Sequence, residues 1–209
     1  MNTKQDYLLV VEDDPDIRKL LETTLTFQGY RVRTASNGKE GLETLQSERP
    51  AIIITDIMMP KLDGFGLVHR LRINPETRNI PVVFITATYV AAEDKDFSLN
   101  IGATHFIQKP VDLKELLTTI KELLQQGTHA AIEPLEDFKF YEGYRKRLEM
   151  KLEQKNKQIA RDELLLATRM DEKNQSLQIS LRQALNEREE IKFLLDQIHK
   201  QIEQSNPPE

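Results

Sequence analysis

The sequence predicts a doubly wound α/β domain with a five-stranded parallel sheet, followed by a long α-helical coiled coil. Two observations carry this. Through the first 127 residues, short runs rich in Val, Ile and Thr alternate with amphipathic stretches, while beyond Gly127 the only glycine is Gly143 and proline recurs only at 134, 207 and 208. Strands alternating with helices imply a parallel sheet covered on both faces.

The predicted strands are Tyr7–Val11, Tyr30–Thr34, Ala51–Thr55, Pro81–Thr86 and Thr104–Ile107. The first, third and fourth are almost continuously apolar, as strands buried on both faces must be. Between them the helix boundaries are legible. Asp14 followed by Pro15 reads as an N-cap with proline at the first helical position, and Gly29 closes that helix. Asn37 caps the next, with Glu40 three residues on reaching back as in a capping box. Asp112 caps the last, where Leu113, Leu116, Leu117, Ile120 and Leu124 form one apolar stripe.

Composition narrows the chemistry. The chain has 209 residues, a net charge of −5 and 30% charged residues, with no global bias toward nucleic acid or anionic membrane. Cysteine is absent, so disulfides, thiolate metal sites and cysteine nucleophiles are excluded. The start, MNTKQDYLLVVEDD, reads as neither signal peptide nor membrane span, and a cytoplasmic location is expected. The expected organisation is an α/β domain over 1–127, a linker over 128–137, helix over 138–204 and a disordered tail over 205–209.

In doubly wound sheets ligands sit outside the carboxyl ends of the strands, at the switch point of strand order. Three acids fall there: Glu12 and Asp13 after the first strand, Asp56 at the end of the third. Packed together they repel one another unless a cation neutralises them, and oxygen donors without imidazole or thiolate suit Mg²⁺. Thr86 ends the fourth strand and Lys109 follows the fifth, so five polar groups converge on one rim.

These residues carry a resemblance. VVEDD, TDIMMPKLDGFGL around Asp56, FITA at Thr86 and GATHFIQKP at Lys109 make residues 5–125 similar to the receiver domain of two-component response regulators. The resemblance implies a flavodoxin-like strand order 2-1-3-4-5 and a phosphoryl group accepted on Asp56 from a histidine kinase or phosphotransfer protein. It implies Mg²⁺ held by Glu12, Asp13, Asp56 and the backbone carbonyl of Met58. Thr86 matches the hydroxyl that turns toward the phosphoryl oxygens, Lys109 the lysine that pairs with them, and Phe106 the aromatic switch residue. Lys109–Pro110 is expected to be cis. Two positions depart from the commonest pattern: Glu12 stands where aspartate is frequent, and Phe106 lacks the hydroxyl of the usual tyrosine. Met58 and Thr88, two residues beyond Asp56 and Thr86, offer no acid or amide to orient an attacking water, so a long-lived phosphorylated state is expected.

The tail reads as a long helical region, about 95 Å if its roughly 65 residues were unbroken. Met170, Leu177, Ala184, Ile191 and Ile198 recur every seven residues, interleaved with Asn174, Leu181, Arg188, Leu195 and Ile202. That is a coiled-coil pattern, with Glu187 placed to pair with Lys192 of a parallel partner. Leu148, Leu152, Ile159 and Leu166 follow another phase, which an inserted residue or a turn folding the tail into a hairpin would explain. His199 reads as surface; Arg145, Lys146 and Arg147 form a brief basic run that acids balance, and the lack of aromatic interleaving or helix-turn-helix punctuation argues against DNA binding. The segment FYEGYRKRLEMKLEQKN resembles the stretch that follows receivers in multi-domain hybrid sensors.

The expectation is therefore a response regulator, enzymatic only toward its own phosphoaspartate, forming a homodimer through the tail and acting on an unknown downstream protein. No nucleic-acid or membrane partner is expected. The alternatives are the receiver end of a larger hybrid sensor or effector assembly, and a constitutive coiled-coil scaffold.

Overall fold

The computed structural model describes residues 7–87, 92–126, 135–168 and 175–205. It divides into two compact units, Met1–Leu135 and Glu136–Glu209. The first alternates β1 (Tyr7–Val11), α1 (Pro15–Phe27), β2 (Arg31–Ala35), α2 (Gly38–Leu45), β3 (Ile52–Thr55), α3 (Gly64–Ile73), β4 (Val82–Thr86), α4 (Ala92–Asn100), β5 (His105–Gln108) and α5 (Leu113–Gln126). The strands form one parallel sheet in the order β2-β1-β3-β4-β5. The order reverses between β1 and β3, which opens a crevice at their carboxyl ends.

Period-two alternation divides the sheet's side chains between its faces. Leu8, Val10, Ile52, Ile54, Val83, Ile85 and Ile107 build one core with Leu21 and Leu25 of α1 and Leu116, Ile120 and Leu123 of α5. In the last turn of α5 Leu123 is buried, whereas Leu124, assigned to the stripe from the sequence, is 38% exposed. With both residues apolar, periodicity did not discriminate between them. Elsewhere Phe65 of α3 stands edge-on to Phe84 of β4 and Phe97 of α4, at 5.5 and 5.1 Å between centroids. Arg72 of α3 is fully buried and donates from Nε and Nη2 to the Gly102 carbonyl at 3.0 and 2.7 Å, tying α3 to the turn before β5.

The helix signals hold with one change. Asp14 caps α1 by accepting from the Asp16 and Ile17 amides, and Gly29 follows that helix at φ 87°. Asn37 accepts from the Glu40 amide, but the Glu40 carboxylate passes over Asn37 to the Ser36 amide and hydroxyl. Asp112 accepts from the Lys114 and Glu115 amides at the start of α5.

Of the two explanations for the shifted heptad phase, the second unit supports the hairpin. α6 (Asp137–Thr168) and α7 (Gln175–Ser205) pack on each other. Lys155 pairs with Glu187, and Ser180 Oγ donates to Asp162 at 3.3 Å, so seven residues forward on α6 is seven back on α7. The helices are antiparallel. This accounts for the two heptad phases: Ala184, Ile191, Leu195 and Ile198 form the buried stripe of α7, and Phe140, Tyr144, Leu148 and Ile159 that of α6. Glu187 thus meets Lys155 of its own chain, while Lys192 pairs with Glu189 one turn away. The heptad residues Met170 and Asn174 lie outside the described residues, as do 128–134 of the expected linker and 206–209 of the expected tail. α6 already includes Asp137 and α7 reaches Ser205.

Candidate functional site

The sheet register brings the acids together. Val11 is level with Thr55, and the Asp56 amide donates to the Val11 carbonyl at 3.0 Å, so both strands release their next residues at one height. Glu12 is anchored on the other side, its amide donating to Ala35 of β2 at 3.1 Å. Carboxylate oxygens of Glu12, Asp13 and Asp56 then lie within 4.8 Å of one another. From β5, Lys109 donates its amide to the Thr86 carbonyl at 2.9 Å and extends its ammonium to Asp56 at 2.6 Å and Glu12 at 2.9 Å. The Lys109–Pro110 bond is cis, as expected.

Asp56 is held from behind as well. Its Oδ1 accepts from the Ile57 amide and, at 3.4 Å, from the Met58 amide. Gly64 packs so closely beneath the loop that a Cβ there would lie 2.3 Å from the Asp56 carbonyl oxygen. Asp63, fully buried, caps α3 by accepting from the Gly66 amide at 2.7 Å.

One ammonium does not balance three carboxylates. Burial pushes the Glu12 carboxyl up to about 7, and the neighbouring Asp56 charge adds to that rise against the pull of Lys109. Asp13 is raised by burial and then by Asp56. For Lys109, burial lowers the ammonium, but Asp56 and Glu12 together outweigh it and hold the group above its ordinary value. Excess negative charge presented only by oxygen donors fits a hard divalent cation.

Thr86 lies fully buried at the end of β4. Phe106 on β5 is half-buried, with the Lys95 ammonium of α4 5.6 Å from its ring centroid. Of the pair read as leaving no water-orienting group, Met58 is half-buried beside Asp56 and Thr88 lies outside the described residues. The sequence reading did not single out Asp63 and Gly64, although an Asp-Gly pair opening a helix is an N-cap signal. Nor did it find Arg18, whose Nη1 donates to the Glu12 and Asp13 carbonyls. Unlike an N-cap, an arginine reaching back to the carbonyls of the preceding loop follows no residue-type pattern.

The family model of the response regulator receiver domain matches residues 8–121. The chain belongs to that family. Within this receiver, the probable transcriptional regulator ycf27 of Pyropia yezoensis is 40% identical over 127 residues, covering 61% of this chain and 51% of that protein. The chain spans about half the length of the curated relatives it matches. A crystal structure of a putative response regulator from Chloroflexus aurantiacus, 33% identical, matches with a TM-score of 0.55 over 58% of this chain and 99% of that one. TrrA of Thermotoga maritima, solved in complex with Mg(2+)-BeF, is 29% identical with a TM-score of 0.50 over 56% of this chain and 98% of that one. Among the described residues, no receiver or tail helix is long and apolar enough to cross a membrane.

Proposed function

We propose that Asp56 accepts a phosphoryl group from a histidine kinase or phosphotransfer protein, and that the phosphorylated receiver signals through protein contacts. The observation that carries this is the convergence of Asp56, Glu12, Asp13 and the Lys109 ammonium at the switch point of the sheet. A carboxylate attacks phosphorus when the repulsion between anions is offset, and phosphoryl transfer asks for positioning and charge neutralisation more than for covalent assistance. Glu12, Asp13, Asp56 and the Met58 carbonyl would hold Mg²⁺, which when bound supplies the charge offset. Lys109 takes the remaining phosphoryl charge, and the Thr86 hydroxyl donates to a phosphoryl oxygen. The ring of Phe106 reports the change at the α4–β5 face through packing alone, since it has no hydroxyl to donate. TrrA, solved with Mg(2+)-BeF, supports the metal assignment.

The protein acts enzymatically only on its own aspartyl phosphate and works in the cytoplasm. With Met58 and Thr88, neither of them an acid or amide that could orient water, two residues beyond Asp56 and Thr86, the phosphorylated state persists for minutes or longer; decay within seconds would contradict this. The tail dimerises as a preformed hairpin rather than as a single helix, because its heptad stripe is occupied within the chain. Size measurement by light scattering with and without Mg²⁺ and beryllofluoride tests the switch. A mass that changes in the wild type and not in Asp56→Asn supports it, whereas a fixed dimer in both supports the constitutive scaffold.

A second reading follows from the relatives named transcriptional regulators, which are about twice the length of the matched segment. In that reading the output reaches transcription through a further region or partner, against the expectation of no nucleic-acid partner. Phosphorylation-dependent retention on genomic DNA fragments would favour it.

A further inference from the structure

We propose that Arg18 is a positioning residue for the acidic cluster, acting on the backbone that carries Glu12 and Asp13. The inference rests on the reading of that cluster as a cation site. Arg18 lies on the first turns of α1, and its Nη1 donates to the Glu12 carbonyl at 2.6 Å and the Asp13 carbonyl at 3.1 Å. Those two carbonyls belong to the peptide planes on either side of Asp13. Holding both fixes the backbone dihedrals of Asp13, and with them the directions in which the carboxylates of Glu12 and Asp13 leave the chain. The Glu12 amide is already bound to Ala35, so the loop is pinned at both of its polar ends.

The need for such a grip follows from the charges. Carboxylates brought within 4.8 Å repel, and a loop of two acids with free dihedrals relaxes by turning one of them to solvent. A guanidinium hydrogen bond to carbonyl oxygen is charge-assisted and directional, and here it holds the backbone of the loop. Partners that orient metal-binding residues without touching the metal are commonly worth tenfold or more in affinity.

Position and charge make opposite predictions. As a bare positive charge, Arg18 would oppose cation binding, and its removal would tighten Mg²⁺. As a positioning residue, its removal weakens Mg²⁺. Isothermal calorimetry with Mg²⁺ alone on the full chain, for wild type, Arg18→Gln and Arg18→Lys, separates them. The expected result is a Kd raised about tenfold or more in Arg18→Gln and less in Arg18→Lys, which keeps the charge and reaches one carbonyl. The Mg²⁺ needed for half-maximal phosphorylation by a small acyl phosphate rises in parallel, while the rate at saturating Mg²⁺ stays within about twofold of wild type. Thermal melting without Mg²⁺ checks folding. Unchanged or tighter Mg²⁺ binding in folded Arg18→Gln overturns the inference. If Arg18→Gln does not fold, Arg18→Lys decides, with unchanged affinity again overturning it. A wild type that binds no Mg²⁺ overturns the cation-site reading together with the inference.

Discussion

Asp63 ties the receiver's stability to pH through one buried carboxyl. One oxygen caps α3 and the other is buried with no hydrogen-bond partner among the described residues, and burial raises the group to about 7. The unfolded carboxyl titrates near 3.9, so between about 4 and 7 the folded state holds the extra proton. The group's contribution is complete below the unfolded value and is lost as pH rises through the folded one. Asp63→Asn keeps the capping oxygen without the charge. It is expected to be more stable than the wild type at pH 8, by about 1–3 kcal/mol, with a flatter pH profile in urea melts. A variant less stable at both pH 5 and pH 8 would contradict this. Two further substitutions probe the floor and the roof of the site. Gly64→Ala places a Cβ against the Asp56 carbonyl and is expected to cost about 3 kcal/mol, read as a lowered urea midpoint. Lys109→Ala removes the ammonium on Asp56 and is expected to slow phosphorylation by an acyl phosphate about 10²–10³-fold in rapid-quench assays. The site residues were legible in sequence because their chemistry sits at strand ends, where topology alone brings them together. Arg18 and the Ser36 partner of Glu40 were not, because each depends on a backbone group whose position the local sequence does not set.

At the scale of elements, β1, β3 and β4 were readable because burial on both faces leaves them almost wholly apolar, and the partly buried β2 and β5 by their place in the alternation. Their observed starts fall within one residue of the predicted ones. The tail shows where such reading stops. Heptads identify a helix face that will be covered, but a stripe facing a partner chain and one facing a preceding helix look the same. What decided it was the charge pattern across the seam. Lys155 and Asp162 occupy inward positions of α6 and meet Glu187 and Ser180 of α7, which satisfies polar groups that a continuous helix would leave facing apolar neighbours. Ile159→Ala truncates a residue 4% exposed in this seam and is expected to destabilise the hairpin by about 2–4 kcal/mol. Circular dichroism should register the loss of α6 and α7 at lower temperature while Mg²⁺ binding by the receiver is unchanged. Coincident loss of both would contradict an independently packed hairpin.

At the scale of the whole molecule, the chain joins a receiver whose acids and Lys109 converge on one rim to an antiparallel helical unit with no second carboxylate cluster among the described residues. In the proposed function the signal enters at Asp56. The most direct test is intact-mass and peptide mass spectrometry after incubation with a small acyl phosphate, with and without Mg²⁺. The expected result is the gain of one phosphoryl group, dependent on Mg²⁺, mapped to the peptide containing Asp56 and absent from Asp56→Asn. A chain that gains no phosphoryl group, or gains it equally in Asp56→Asn, would contradict it.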